Sequence, residues 1–475
     1  MPPIVAGIDC STQSTKVVLV DPESGRIVGQ AQAPHTVTGE GGARETDPED
    51  WWNALGNALA ATGRAHDVGA ISVAGQQHGL VVLGEDGGAL RPAKLWNDTR
   101  SAPDAERLVE LLGGAEAAAR RLGSVPVASF TATSWLWLRR VEPALAARVA
   151  RVRLPHDFMT ERLCGNGVTD RGDASGTCWW SPISGAYDDD LLELIELERA
   201  ALPRVLGPRE AAGTVTSEVA AALGVPSSAL VACGTGDNMG AALGLGVEPG
   251  VPVVSLGTSG TAFAVSTTPS TDPTGVVAGF ADATGRYLPL ACTLNCTLAI
   301  DRIAGWLSIE RDAVEEGGEV VVLPFLDGER TPNRPHASGT ITGLRQATTP
   351  GQILRAAYEG AAFSLLDALE QLHGSGSGLD PDAPILLVGG GSRGRVWQET
   401  IRRLSGRPLL VPAHDELVAL GAAAQAAGVL HGEAPGDVAR RWDTSAGTRL
   451  DAVPRDEDAL ARIRSVRERS EPLDG

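Results

Sequence analysis

The sequence predicts an α/β protein built of two large lobes, on three observations. Apolar runs of strand length alternate with stretches of helical periodicity along most of the chain. A strand-turn-strand pattern with a hydroxyl-bearing turn occurs twice, once near the start and once just past the middle. The 475 residues, 43% of them hydrophobic and 21% charged, suffice for two full hydrophobic cores.

Taken in order, Ile4 to Ile8 and Lys16 to Asp21 read as strands around the polar turn Asp9 to Thr15, and Arg26 to Ala33 adds a third, antiparallel strand. Asp47-Pro48 opens a helix that runs to Ala61 and carries Trp52, Leu55 and Leu59 at helical spacing. Val68 to Val73 is a buried strand. In the second meander, Val253 and Val254 lead into Gly257-Thr258-Ser259-Gly260, and Ala262 to Val265 lead out. Aligning the two turns sets Thr12 against Thr258 and Thr15 against Thr261, as a duplicated architecture would. Pro384 to Val388 is a strand ending in Gly389-Gly390-Gly391-Ser392, followed by a helix over Arg395 to Leu404. Leu409 to Val411 is a further strand, and Ala419 to Ala427 is a helix whose small side chains permit close packing. The turn Glu248-Pro249-Gly250 divides the lobes, expected at 1–247 and 248–475 with a hinge near Val247 to Val251. The charged tail from Asp456 to Gly475 reads as a frayed terminal helix.

Composition excludes several function classes. A formal charge of -19 argues against a protein that grips phosphate backbones through a basic patch, so nucleic acid is not an expected partner. The six cysteines have no CxxC spacing and fit a reduced compartment. Cys292 and Cys296 are four apart, but lack the further ligands a zinc site needs. Neither a signal peptide nor a run of ~18 apolar residues is found, which predicts a cytoplasmic protein without a membrane partner.

Several segments carry side chains suited to phosphoryl transfer. Ser11, Thr12, Ser14 and Thr15 put small hydroxylated residues in a turn between buried strands. There backbone amides can approach phosphate oxygens, and Asp9 can hold hydrated Mg²⁺. A plain hairpin with a capping aspartate fits the same residues. The GxxxxGKS and GxxxxGKT patterns of a P-loop are absent. Gly389 to Ser392 offers either a flat wall for adenine or ribose or simply a tight strand-to-helix turn. In Gly234-Thr235-Gly236-Asp237-Asn238 an acid follows a strand. It either accepts a proton from a substrate hydroxyl while Asn238 orients a sugar, or it caps a helix. Gly75-Gln76-Gln77-His78-Gly79 holds Gln77 and His78 between glycines, an arrangement suited to sugar hydroxyls if buried and to solvent if not. Trp96-Asn97-Asp98-Thr99-Arg100 and Gly328-Glu329-Arg330-Thr331-Pro332 are two more polar clusters, each of which also fits a salt-bridged loop.

Together with Asp173-Ala174-Ser175-Gly176-Thr177, and in this order, these segments resemble the FGGY carbohydrate kinases over nearly the whole chain. The resemblance implies two actin-like (ribonuclease H-like) ATPase domains with a nucleotide cleft between them. Within the family the motifs are most like those of members that phosphorylate D-xylulose, converting it with ATP to D-xylulose 5-phosphate. It further implies that Gln77, His78, Asp237 and Asn238 bind the sugar and that Asp237 is the proton acceptor. Asp9 joins Asp237 as a catalytic carboxylate, and the two serve Mg²⁺. Thr12, Gly257, Thr258 and Gly260 face phosphates, while Gly389, Gly390 and Gly391 face adenosine. The implied partners are a small sugar and ATP, with a homodimer as the assembly. One departure bears on the substrate: Gln77 stands where methionine is frequent. A second substrate reading is therefore another ketose or polyol, such as L-ribulose or glycerol. A noncatalytic actin-like sugar sensor is the reading from a different class.

Overall fold

The computed structural model describes residues 3–470. The first of its two large sheets has seven strands: β1 (Ile4–Cys10), β2 (Ser14–Val20), β3 (Ile27–Pro34), β4 (Val68–Gly75), β5 (Ala211–Thr214), β6 (Leu230–Ala232) and β7 (Thr235–Gly236). Their order is β5-β6-β4-β1-β2-β3, with β7 continuing the β6 side of β4. Every residue of β1 is buried, as expected of a continuous apolar run covered on both faces.

The second seven-stranded sheet comprises β8 (Pro252–Leu256), β9 (Gly260–Ala264), β10 (Ala278–Ala281), β11 (Tyr287–Thr293), β12 (Ile385–Val388), β13 (Leu409–Pro412) and β14 (Gly447–Leu450), in the order β10-β11-β9-β8-β12-β13-β14. In each sheet the first strand pairs antiparallel with the second, β1 with β2 and β8 with β9, and parallel with a strand from further along the chain, β1 with β4 and β8 with β12. The second strand in turn pairs antiparallel on its other side, β2 with β3 and β9 with β11. The duplication seen in two turns of sequence thus extends to whole sheets, and this repeated order is that of the actin-like ATPase fold. The turns differ by one residue: Cys10 pairs with Thr15 across the first, and Leu256 with Gly260 across the second.

Helix α1 (Pro48–Ala61) starts at Asp47, whose side chain accepts from the Glu49 amide. Its buried stripe is headed by Trp51, with Ala54, Leu55, Ala58 and Leu59 behind it. Trp52 is half-buried instead, with the Arg162 guanidinium 4.9 Å from its ring centre.

Between the sheets, α2 (Asp237–Gly244) crosses α3 (Leu417–His431) at glycines. An added Cβ on Gly421 would overlap the Gly240 carbonyl oxygen, and one on Gly7 of β1 would overlap the Ala419 carbonyl oxygen. Although it follows β13 in the chain, α3 therefore packs directly on the first sheet. Gln425 of α3 fixes it there, accepting from Ser72 Oγ at 2.8 Å and donating to the Gly234 carbonyl at 3.0 Å. A continuous apolar cluster joins Val5 and Ala70 of the first sheet to Val253 and Val388 of the second through Ala419 and Ala423.

The terminal helix, α4 (Glu457–Ser470), is not frayed. Ala459, Leu460, Ile463 and Val466 are buried against the core of the second sheet, a stripe outnumbered in sequence by the charges on the opposite face. Residues 471–475 of the expected tail lie outside the described residues. Among the described residues no helix is long and apolar enough to cross a membrane.

Candidate active site

Asp9 lies on β1 in register with Lys16, because the strands extend further into the turn than the sequence pattern indicates. It is only 5% exposed, and its Oδ1 accepts from Ser11 Oγ at 2.6 Å. Burial pushes its carboxyl up to about 6; the Ser11 hydrogen bond and Lys16 oppose the shift, and Glu416 adds to it. Lys16 pairs with Glu416 at 2.9 Å, linking β2 to the residue before α3.

Gly236 takes the N-cap position of α2, and Asp237 is the first helical residue. Asp237 Oδ1 accepts from the Asn238 amide at 2.8 Å and from Asn238 Nδ2 at 3.0 Å. Asp237 is half-buried and borders a cavity. Burial, and after it the charge of Asp9, pushes its carboxyl up to about 7, against the Asn238 hydrogen bonds. Asp9 thus raises Asp237, and two neighbouring carboxyls are the donor chemistry that suits a hard, oxygen-liganded cation. Among the described residues no cluster of three or more metal-binding side chains occurs. Mg²⁺ at this place would lean on Asp9, Asp237 and oxygens from outside the protein.

Gln77 and His78 follow β4 directly and are buried rather than solvated, at 4% and 9% exposure. His78 adopts a positive φ of 67° in this turn. Its ring packs between Phe130 and Phe280, at 4.9 and 5.4 Å between centres. Burial and then the charge of Arg330 push its imidazole down to about 3, so it is neutral at ordinary pH. The His78 amide donates to Asp173 Oδ1 at 3.4 Å, and a Cβ on Gly176 would overlap the imidazole. The Asp173 to Thr177 segment is therefore the floor beneath His78. Asp170 anchors that floor, accepting from the Gly172 and Asp173 amides and from Thr235 Oγ1, two residues ahead of Asp237.

A cavity of about 240 Å³ brings Gln77, His78, Asp237 and Asn238 together. The second lobe adds Ser259, Thr261 and Arg330 to its lining, and Phe130, Phe280 and Leu290 supply apolar walls. A second cavity, about 420 Å³, lies between Asp9 and the Gly389-Gly390 turn. Asp9 and Asp237 thus border different cavities while lying close enough for their charges to interact.

The other expected residues divide. Thr12 accepts from Trp96 Nε1 at 3.2 Å, and Trp96 itself lines the smaller cavity. Gly257 is half-buried and Thr258 exposed in the second turn. The Gly257 carbonyl accepts from Thr297, whose Cγ2 is among the atoms a Cβ on Gly391 would meet. Gly389 and Gly390 are exposed to the larger cavity, whereas Gly260 and Gly391 are buried in packing, against Leu365 and Thr293 and against Leu256 and Thr297. Phe130 and Phe280 were not found from the sequence, where each is an isolated aromatic without a motif.

Duplicated actin-like lobes enclosing a polar cavity and a carboxylate pair define an ATP-dependent carbohydrate kinase. Residues 4–244 match the N-terminal domain and residues 253–429 the C-terminal domain of the FGGY family of carbohydrate kinases, and the chain belongs to that family. It is 59% identical over 474 residues to the xylulose kinase of Streptomyces coelicolor, covering 99% of this chain and 97% of the relative. The solved xylulose kinase of Bifidobacterium adolescentis is 36% identical, with a TM-score of 0.84, and the match covers 98% and 99% of the two chains. The xylulose kinase of Rhodospirillum rubrum superposes with a TM-score of 0.87 at 27% identity over 99% of each chain.

Proposed function

We propose that this kinase transfers the γ-phosphoryl group of ATP to the C5 hydroxyl of D-xylulose, giving ADP and D-xylulose 5-phosphate. The observation that carries the proposal is Asp237, a carboxyl pushed up to about 7 in one cavity with Gln77, His78 and Asn238. A base with a pKa near the working pH both exists as carboxylate and accepts a proton readily. The names of the relatives at 59% and 36% identity support the choice of sugar.

In this reading the sugar lies in the smaller cavity. Gln77, His78 and Asn238 hold its hydroxyls, and Asp237 takes the proton of the attacking one. The γ-phosphate lies between the cavities, facing Thr12 and the Gly257-Thr258 turn, and adenosine lies along Gly389 and Gly390. Mg²⁺ held by Asp9 and Asp237 would neutralise phosphate charge. The burial of Gly260 and Gly391 gives them a supporting place, keeping the phosphate and adenosine turns close to their neighbours. A cytoplasmic location follows from the need for ATP. A homodimer is the proposed assembly, supported by the exposed Leu298 and Trp306 on one helix face, and sedimentation would test it.

A coupled assay of ADP release over a panel of ketoses and polyols tests the substrate. D-xylulose should give the highest kcat/KM. Faster use of L-ribulose or glycerol would overturn the choice of sugar, and absence of turnover with every acceptor would favour a sensor.

A further inference from the structure

The cavity contains one cation that the roles above leave unused. Arg330 comes from the second lobe and lines the same cavity as Gln77, His78, Asp237 and Asn238. Its backbone is clamped on both sides. The Arg330 amide donates to Glu329 Oε1 at 2.7 Å, and that buried carboxylate also accepts from the Leu294 amide at 2.6 Å and from Asn295 Nδ2 at 3.0 Å. On the other side Thr331 Oγ1 donates to the Cys292 carbonyl at 2.7 Å. Among the described residues no carboxylate lies within ion-pair distance of the half-buried guanidinium. Its charge is felt at His78, and at Cys292 together with that of Asp237. Arg330 and His78 thus lie near one another on the lining of the cavity that Asp237 also borders.

The acceptor itself indicates what meets it there. A 2-ketopentose closes its ring through the C5 hydroxyl, so that hydroxyl is free only in the open-chain form, in which C2 is a carbonyl. With C5 at Asp237, a C1–C2 end directed at His78 would meet Arg330. A carbonyl oxygen only accepts and a guanidinium only donates, so the two match without leaving a proton unpaired. A pentitol presents a hydroxyl at C2, and its proton would need a partner the guanidinium cannot be.

We propose that Arg330 donates to the C2 carbonyl oxygen and so selects open-chain ketoses over polyols, an inference that rests on the ketose reading above. The test compares kcat/KM for D-xylulose with the inhibition constant of xylitol, which differs only in carrying a hydroxyl at C2. In full-length Arg330→Met, kcat/KM for D-xylulose should fall about tenfold to a hundredfold, the worth of a hydrogen bond to a charged donor. Xylitol inhibition should change by less than about threefold. Arg330→Lys, which keeps the charge but loses the planar fork, should show a smaller loss with the same bias toward the ketose. Guanidinium ion added to Arg330→Ala should restore D-xylulose turnover, a response that a purely structural role would not produce. Equal losses for ketose and polyol, or no loss in either, would overturn the proposal. Failure of the unmutated enzyme to use D-xylulose would strike the substrate reading instead. The same comparison, made with the ketose it does use and the matching polyol, would still decide Arg330.

Discussion

Gln77 accepts a hydrogen bond from Asn238, with 2.8 Å between Gln77 Oε1 and Asn238 Nδ2. The contact joins the turn after β4 to the first turn of α2 and fixes the amide of Gln77. Its Nε2 is left buried without a partner among the described residues, available to a sugar hydroxyl. Gln77→Met removes both the acceptor and that donor. We expect KM for D-xylulose to rise about tenfold, the cost of one hydrogen bond of roughly 1–1.5 kcal/mol, with kcat nearly unchanged. Steady-state kinetics checks this, and an unaltered KM would remove Gln77 from sugar binding.

Asp237→Asn keeps the shape of the site but cannot take a proton. Turnover should fall by roughly 10²–10⁴-fold, toward the lower end if proton transfer is late in a loose transition state. Nucleotide affinity should persist, because Gly389 and Gly390 border the other cavity. Calorimetric titration with ADP beside kcat measurements checks both halves, and near-normal turnover by the folded variant would exclude Asp237 as the base.

The pH dependence follows from the same residue. An acid whose pKa is raised holds its proton to higher pH, so its function as a base is lost on acidification earlier than for an ordinary carboxyl. With Asp237 at about 7, kcat/KM should be level above that pH and fall about tenfold per unit below it. A profile flat from pH 5 to 8 would mean that Asp237 titrates like an exposed aspartate or takes no proton.

The crossing of α2 and α3 should tolerate no side chain. Gly421→Ala would drive a methyl into the Gly240 carbonyl, a backbone atom that cannot rotate away, so overpacking of about 1–3 kcal/mol outweighs the helix preference for alanine. Gly305, an exposed helical position, has nothing within 4 Å of where a Cβ would stand. Gly305→Ala should stabilise by up to about 1 kcal/mol. Denaturant unfolding of the two variants should move in opposite directions.

The sequence by itself determined the strands of both meanders, the start of α1 at Asp47, and a set of glycine-flanked polar segments that identified the family. These features are local: strand periodicity, capping and turn chemistry act over a few residues, and the motifs can be found without knowing what they face. Only the tertiary structure decided what those segments meet. Nothing near Leu417 says that α3 will lie on a sheet whose first strand begins at Ile4, because small residues permit close packing without naming the partner. The stripe of α1 was misjudged by one residue, since Trp51 and Trp52 are both apolar and the sheet beneath selects one of them. Likewise α4 is charged in composition, and its docking depends on a few apolar residues whose partner surface exists only once the second core has formed. The site shows the same division. Gln77, His78 and Asp237 were marked by their own neighbours in sequence. The approach of Asp9 to Asp237, the aromatic clasp on His78 and the position of Arg330 arise from contacts between distant segments, which the folded chain alone brings within reach.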